Sequence, residues 1–288
     1  MNFSERAVSF MCHQVTLYGI VSAPQVCSRR GVLIVVGGPQ YRVGSHRQFT
    51  LLARDLAAAG VPVMRFDYRG MGDSEGEVTM FENADDDLRA AADRFFLEIP
   101  ALQDLVIWGL CDGASAALFY APTDPRVSGV VLLNPWVRTD SGKALAQIKH
   151  YYPARLRERE LWQKVFNGSL DYVASLRAFF RIVGQLVGNS REASNAAKLP
   201  HHRNGITLPD RMRESLHRFS GKVLLIMSGR DLTAAEFFDT VAASREWQKV
   251  LAAPNVTRHE LAAADHTFSR REWRDQVSAW SRAWIQSW

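Results

Sequence analysis

The chain has 288 residues, 47% of them hydrophobic and 23% charged, with a formal net charge of +5. That balance is ordinary for a globular protein, excludes collagen-like and low-complexity classes, and includes no apolar run long enough for a membrane-spanning helix. The cysteines, Cys12, Cys27 and Cys111, are odd in number and lack metal-ligand spacing, and the polar, acidic first residues do not read as a signal peptide, so a reducing compartment, the cytoplasm, is expected.

Gly31-Val32-Leu33-Ile34-Val35-Val36 is a continuous apolar run of the kind that fills a parallel strand covered on both faces. Gly37-Gly38-Pro39 follows it. Phe49, Leu52 and Leu56 fall at helical intervals within 47–59, and Gly60 supplies the stop. A second strand over 61–66 runs into a turn-rich loop, Asp67-Tyr68-Arg69-Gly70-Met71-Gly72-Asp73-Ser74. Residues 83–97 read as a helix whose acidic first turn, Asp85 to Asp87, complements the helix dipole. A third strand is predicted over 105–108, an alanine-rich helix over 111–120 and a fourth strand over 127–133.

The alternation breaks after Trp136. Residues 137–219 hold helical apolar stretches around Leu161, Val165, Leu176 and Val183 and a polar connection over 188–204, with no clear strand. The positive charge is concentrated here: residues 138–219 carry a formal +8 and the remainder −3. Such asymmetry points toward anionic partners. Strands resume at 222–227 and 256–261, with helices at 237–251 and 269–288; Trp273, Val277, Trp280, Trp284 and Trp288 line one face of the last, as core packing requires. The predicted fold is α/β, a mostly parallel doubly wound sheet built from 1–136 and 220–288 with a helical cap inserted at 137–219.

The chemistry centres on Gly109-Leu110-Cys111-Asp112-Gly113, between a strand and a helix. A strand-to-helix turn this sharp leaves no room for side chains two residues either side of its apex, and glycines solve that problem. The apex side chain then stands above the sheet at the positive end of the helix. A thiol there, beside a histidine, is a competent nucleophile. Asp231, just past a buried strand, can orient a histidine, and His266, between the last strand and the last helix, is the predicted general base; Asp265 is a weaker rival for the acid. The order nucleophile, acid, histidine, at spacings of 120 and 35 residues, leaves room for an insertion before the acid. The backbone N–H of Asp112 is expected in the oxyanion hole. Because Pro39 cannot donate, the second donor is Gly38 or Gln40, with Gln40 preferred. Arg42, His46 and Arg47 either bind an anionic substrate group or cap and solubilise the next helix. Asp67, Arg69 and Asp73 are expected to order their loop.

At these motifs the chain resembles the α/β-hydrolase superfamily over nearly its whole length outside the cap. Residues 36–49, opening Val36-Gly37-Gly38-Pro39-Gln40-Tyr41-Arg42, and Trp108-Gly109-Leu110-Cys111-Asp112-Gly113-Ala114-Ser115 are similar to the first of two hydrolase classes found with exosortase A systems in exopolysaccharide-producing bacteria. That resemblance implies a cytoplasmic bacterial enzyme linked to polysaccharide export or surface sorting. Two departures from the wider superfamily stand out: Cys111 replaces the usual Ser, and Gly37-Gly38 replaces the common His-Gly.

The expected activity is hydrolysis or acyl transfer on a small ester, thioester or lactone through Cys111, His266 and Asp231, with no cofactor. The alternative is a non-catalytic scaffold whose basic cap contacts a membrane surface or a protein partner, with 161–187 as an amphipathic face. The basic residues are not interleaved with a stacking platform, so nucleic acid is not an expected partner, and no His, Cys or Asp cluster has metal spacing.

Overall fold

A computed structural model describes residues 2–38, 40–137 and 206–288. Most of the expected cap, including 161–187, lies outside the described residues. The strands are β1 (Phe3–Cys12), β2 (Val15–Pro24), β3 (Arg30–Val35), β4 (Val63–Phe66), β5 (Asp104–Leu110), β6 (Val127–Leu133), β7 (Lys222–Ser228) and β8 (Val256–Leu261). They form one eight-stranded sheet in the order β1-β2-β4-β3-β5-β6-β7-β8. Pairing is antiparallel between β1 and β2 and between β2 and β4, and parallel from β4 through to β8.

The apolar runs read from the sequence account for five of the six parallel strands; the sixth, edge strand β8, is polar and partly exposed. Val32, Leu33, Ile34 and Val35 are all fully buried, as a strand covered on both faces requires. The N-terminal hairpin has a weaker signal. Ser4, Glu5, Arg6 and Ala7 of β1 are exposed, and alternation begins only at Val8. β1 is held instead by ten paired positions with β2, from Phe3 opposite Pro24 to Cys12 opposite Val15.

The helices are α1 (Gln48–Ala58), α2 (Asp85–Glu98), α3 (Asp112–Tyr120), α4 (Leu208–Arg218), α5 (Leu232–Ala242), α6 (Arg245–Leu251) and α7 (Arg271–Gln286) among the described residues. The single helix expected over 237–251 is two. Ser244 has extended dihedrals and its side chain accepts the Trp247 N–H, so it caps a new helix rather than continuing the old one. Trp108 of β5 packs edge-on against Phe49 of α1 and donates its indole N–H to Ser281 of α7 at 3.1 Å. α1 and α7 thus cover one region of the sheet, while α2, α3 and α4 pack together as a second group. The buried face of α4 carries Leu208, Met212 and Leu216. No helix among the described residues is long and apolar enough to cross a membrane.

Candidate active site

The parallel strands deliver their C-terminal ends to one edge of the sheet, and ligand sites of α/β folds lie beyond that edge. Cys111 sits there, between β5 and α3, with φ 61° and ψ −127°. This is strained backbone for a residue with a Cβ. Its N–H donates to the Leu133 carbonyl at 2.9 Å, and its own carbonyl accepts N–H groups from Ala114 at 3.0 Å and Trp136 at 3.2 Å. Ser115 adds a hydroxyl bond to the Trp136 carbonyl at 2.8 Å. The flanking glycines are sterically required. A Cβ on Gly109 would lie 2.5 Å from the Gly113 carbonyl oxygen, and one on Gly113 would lie 2.7 Å from that of Val35. The turn therefore holds the sulfur at the N-terminal end of α3.

Asp231 caps α5. Its carboxylate accepts the N–H groups of Thr233 and Ala234, both at 3.1 Å, and Oδ2 also meets Nδ1 of His266 at 2.7 Å. Cys111 is close enough to act on the imidazole electrostatically. With Nδ1 taken by Asp231, Nε2 is the nitrogen left to serve the sulfur. Burial alone would lower the His266 pKa, but its hydrogen bond to Asp231 and its interaction with Cys111 outweigh it and push it up to about 10. Asp265 is not the orienting acid. Its carboxylate accepts the backbone N–H of Ser269 at 3.0 Å and the hydroxyl of the same residue.

Two neighbouring loops carry this arrangement and are tied together. The Arg230 N–H donates to the Ala264 carbonyl at 2.9 Å, and Gly229 to Leu261 at 2.9 Å. A third tie is not apparent from sequence. Asn134, buried at the end of β6 with φ 42°, donates Nδ2–H to Ser228 Oγ at 2.9 Å and to the His266 carbonyl at 3.1 Å. Its Oδ1 accepts the Ser228 N–H at 2.9 Å. The available signal is a buried-strand end followed by Asn134-Pro135, where Asn tolerates the left-handed backbone better than other side chains.

The expected oxyanion and substrate residues divide. Gly38, one of the two expected second donors, directs its N–H to Asp112 Oδ1 at 2.5 Å. Gln40 is half-buried, and its side-chain oxygen is buried without a hydrogen-bond partner among the described residues. Burial raises the Asp112 carboxyl pKa against the opposing pull of the Gly38 and Gly113 N–H groups. Arg42 is paired within the protein. Its guanidinium pairs with both Asp67 and Asp73, and its N–H donates to Asp67 Oδ1 at 2.6 Å. A charge neutralised in this way braces the loop after β4 and is not free for substrate. Asp67 is fully buried, and Arg69 is bound to the buried Asp87, so this loop is ordered from within as expected. His46 and Arg47 remain exposed on successive left-handed residues before α1.

Elbow, imidazole and capping carboxylate together can make a nucleophile, move a proton and hold an imidazolium. Comparisons with known proteins agree with this architecture. Residues 32–280 match the alpha/beta hydrolase family. An esterase of Pyrococcus furiosus superposes with a TM-score of 0.66 at 17% identity, covering 99% of this chain and 92% of that one. A dienelactone hydrolase of Anabaena variabilis does so with 0.61 at 16% identity, covering 100% and 99%. In sequence, an acyltransferase of Aspergillus calidoustus is 28% identical over 137 residues, 46% of this chain; the match spans 44%, less than half, of that protein. The chain belongs to the alpha/beta hydrolase family.

Proposed function

We propose that the protein is a cysteine-dependent acyl-transfer enzyme that hydrolyses, or passes to an acceptor, the acyl group of a small ester, thioester or lactone. The observation that carries this reading is the 2.7 Å hydrogen bond between Asp231 and His266 Nδ1, which sets the imidazole near Cys111, whose sulfur is raised on a strained elbow. Esterase, lactone hydrolase and acyltransferase, the activities named for the similar proteins, are different outcomes of one acyl-enzyme chemistry.

In the charged form of the pair, His266 already holds the proton. Sulfur attacks the acyl carbonyl, a C–S bond forms and the carbonyl electrons move to oxygen, where backbone N–H groups receive them. The oxyanion collapses, the bond to the leaving group breaks, and imidazolium gives its proton to the departing atom. Neutral His266 then takes a proton from water, or from an acceptor alcohol or amine, as that oxygen or nitrogen attacks the thioester. The C–S bond breaks and the charged pair is restored. Asp231 holds the imidazole by Nδ1 and stabilises its cation throughout.

His46 and Arg47, exposed beside this edge, would meet an anionic substrate group. The resemblance of residues 36–49 and 108–115 to exosortase-associated hydrolases supports a cytoplasmic role beside bacterial exopolysaccharide export. The test is a panel of p-nitrophenyl esters and acyl thioesters, with intact mass to catch an acyl adduct. Cys111→Ala should abolish the adduct and lower turnover by about a thousandfold or more. Undiminished turnover would overturn the assignment.

A further inference from the structure

The side chain of Asp112 has no part in the chemistry above, where the residue contributes only its N–H. Its surroundings give it one. Oδ1 accepts the N–H of Gly38 at 2.5 Å, from 74 positions earlier in the chain, and the N–H of Gly113 at 3.0 Å. One carboxylate oxygen therefore joins the loop leaving β3 to the first turn of α3. The fit is close. A Cβ on Gly37 would collide with this same oxygen and with the Leu110 carbonyl, so the loop backbone lies directly on the carboxylate. On the far side the loop meets the elbow again, since a Cβ on Gly113 would lie 2.8 Å from the Val36 carbonyl oxygen.

This contact takes one of the loop's amides out of reach of the oxyanion. The Gly38 N–H is turned to Asp112. Pro39 has no N–H. Gln40 is the next residue on the loop that can donate. We infer that Asp112 is a positioning residue: its carboxylate ties the loop after β3 to the elbow and assigns the second oxyanion contact to the Gln40 N–H.

Hydrogen bonds to an ionised acceptor are about twice as strong as neutral ones. A donor displaced by about 1 Å can cost roughly 100-fold in rate. The inference rests on the acyl-transfer reading for its kinetic consequence, but the tie itself is independent of it.

Two measurements separate the two claims. The first is amide hydrogen exchange over residues 36–41, read by mass spectrometry on the whole protein well below its melting transition. Asp112→Asn still offers an oxygen to both N–H groups and should keep the protection, whereas Asp112→Ala should speed exchange by about tenfold. Unchanged exchange in Asp112→Ala overturns the tie. The second is turnover of p-nitrophenyl acetate. Asp112→Ala should lose about 100-fold in kcat with little change in KM, and Asp112→Asn should recover most of that loss. Gln40→Pro, which removes the assigned N–H, should lose about as much while leaving Gly38 protected. Alkylation of Cys111 by iodoacetamide forms no oxyanion and should keep its rate in Asp112→Ala. Faster turnover in Asp112→Ala, or equal losses in the Ala and Asn variants, overturns the positioning role. If Cys111→Ala turns over like wild type, the acyl-transfer reading fails, and the exchange contrast still decides whether Asp112 holds the loop.

Discussion

Asn134 and His266 are 132 positions apart, yet the side chain of the first donates to the backbone carbonyl of the second at 3.1 Å. The end of β6 thus holds the loop that presents the imidazole. The same amide satisfies both the N–H and the hydroxyl of Ser228, so removing it leaves buried polar groups without partners. Asn134→Ala should lower the unfolding free energy by about 2–3 kcal/mol, measured by urea denaturation. It should also lower kcat and shift the pH profile, because the histidine loses its anchor. Loss of stability with an unmoved pH profile would make Asn134 a fold residue without influence on His266.

His266 binds its proton more tightly in the folded protein, with its pKa pushed from 6.5 up to about 10. Burial opposes this, and the Asp231 and Cys111 interactions overcome it. Its contribution to stability is therefore complete below about pH 6.5 and fades as pH rises through about 10. The stability difference between wild type and His266→Gln should be largest below about pH 6.5 and shrink steadily as pH rises toward about 10. Asp231→Asn tests the cause. Its amide oxygen can still cap α5, but the charge is gone, so the imidazole titration followed by NMR should move down toward the ordinary histidine value. Asp231→Ala should show the same shift and, in addition, lose about 1 kcal/mol from the cap. An alkaline titration unchanged in Asp231→Asn would remove Asp231 as the cause.

Much of this was legible before the structure. Cys111 and Asp231 stand out because each lies just beyond a buried strand and glycines mark the elbow, whereas His266 follows the partly exposed edge strand β8 and stands out only by its place between the last strand and the last helix. Sequence periodicity reports burial, and the parallel strands other than the edge strand β8 are buried on both faces. It does not report contacts between distant loops. Asn134 reads as an ordinary residue before a proline, and nothing near it in sequence reveals Ser228 or His266. Arg42 reads as a free cation because its neutralising partners, Asp67 and Asp73, lie on another loop. The carboxylate of Asp112 is hidden for the same reason, since Gly38 comes from a different strand end. β1 is illegible because half of it faces solvent and its stability comes from pairing with β2.

The reading of Arg42 as a brace has a direct consequence. Arg42→Ala leaves the fully buried Asp67 without its cation, and breaking such a pair by removing one partner costs about 3–5 kcal/mol. A marked drop in melting temperature is expected. Arg47→Ala, at an exposed position, should leave the melting temperature within error and raise KM for anionic acyl substrates relative to neutral ones. The opposite pattern, with stability intact in Arg42→Ala and KM for anionic substrates raised, would restore Arg42 as a binding residue.

The three thiols should separate by reactivity. Cys12 is buried, and burial together with its hydrogen bond to Asp87 pushes its pKa up to about 12. Burial raises that of Cys27 as well. A thiolate is the form that reacts with iodoacetamide, so neither should label appreciably at mildly acid pH. Cys111 stands partly exposed at the N-terminal end of α3, beside His266, the general base proposed for it. Limited alkylation followed by peptide mapping should therefore find the label on Cys111 first, by at least about tenfold over Cys12. His266→Ala should remove that advantage. A Cys111 that labels no faster than Cys12 in the wild type would leave the elbow in place and its chemistry unsupported.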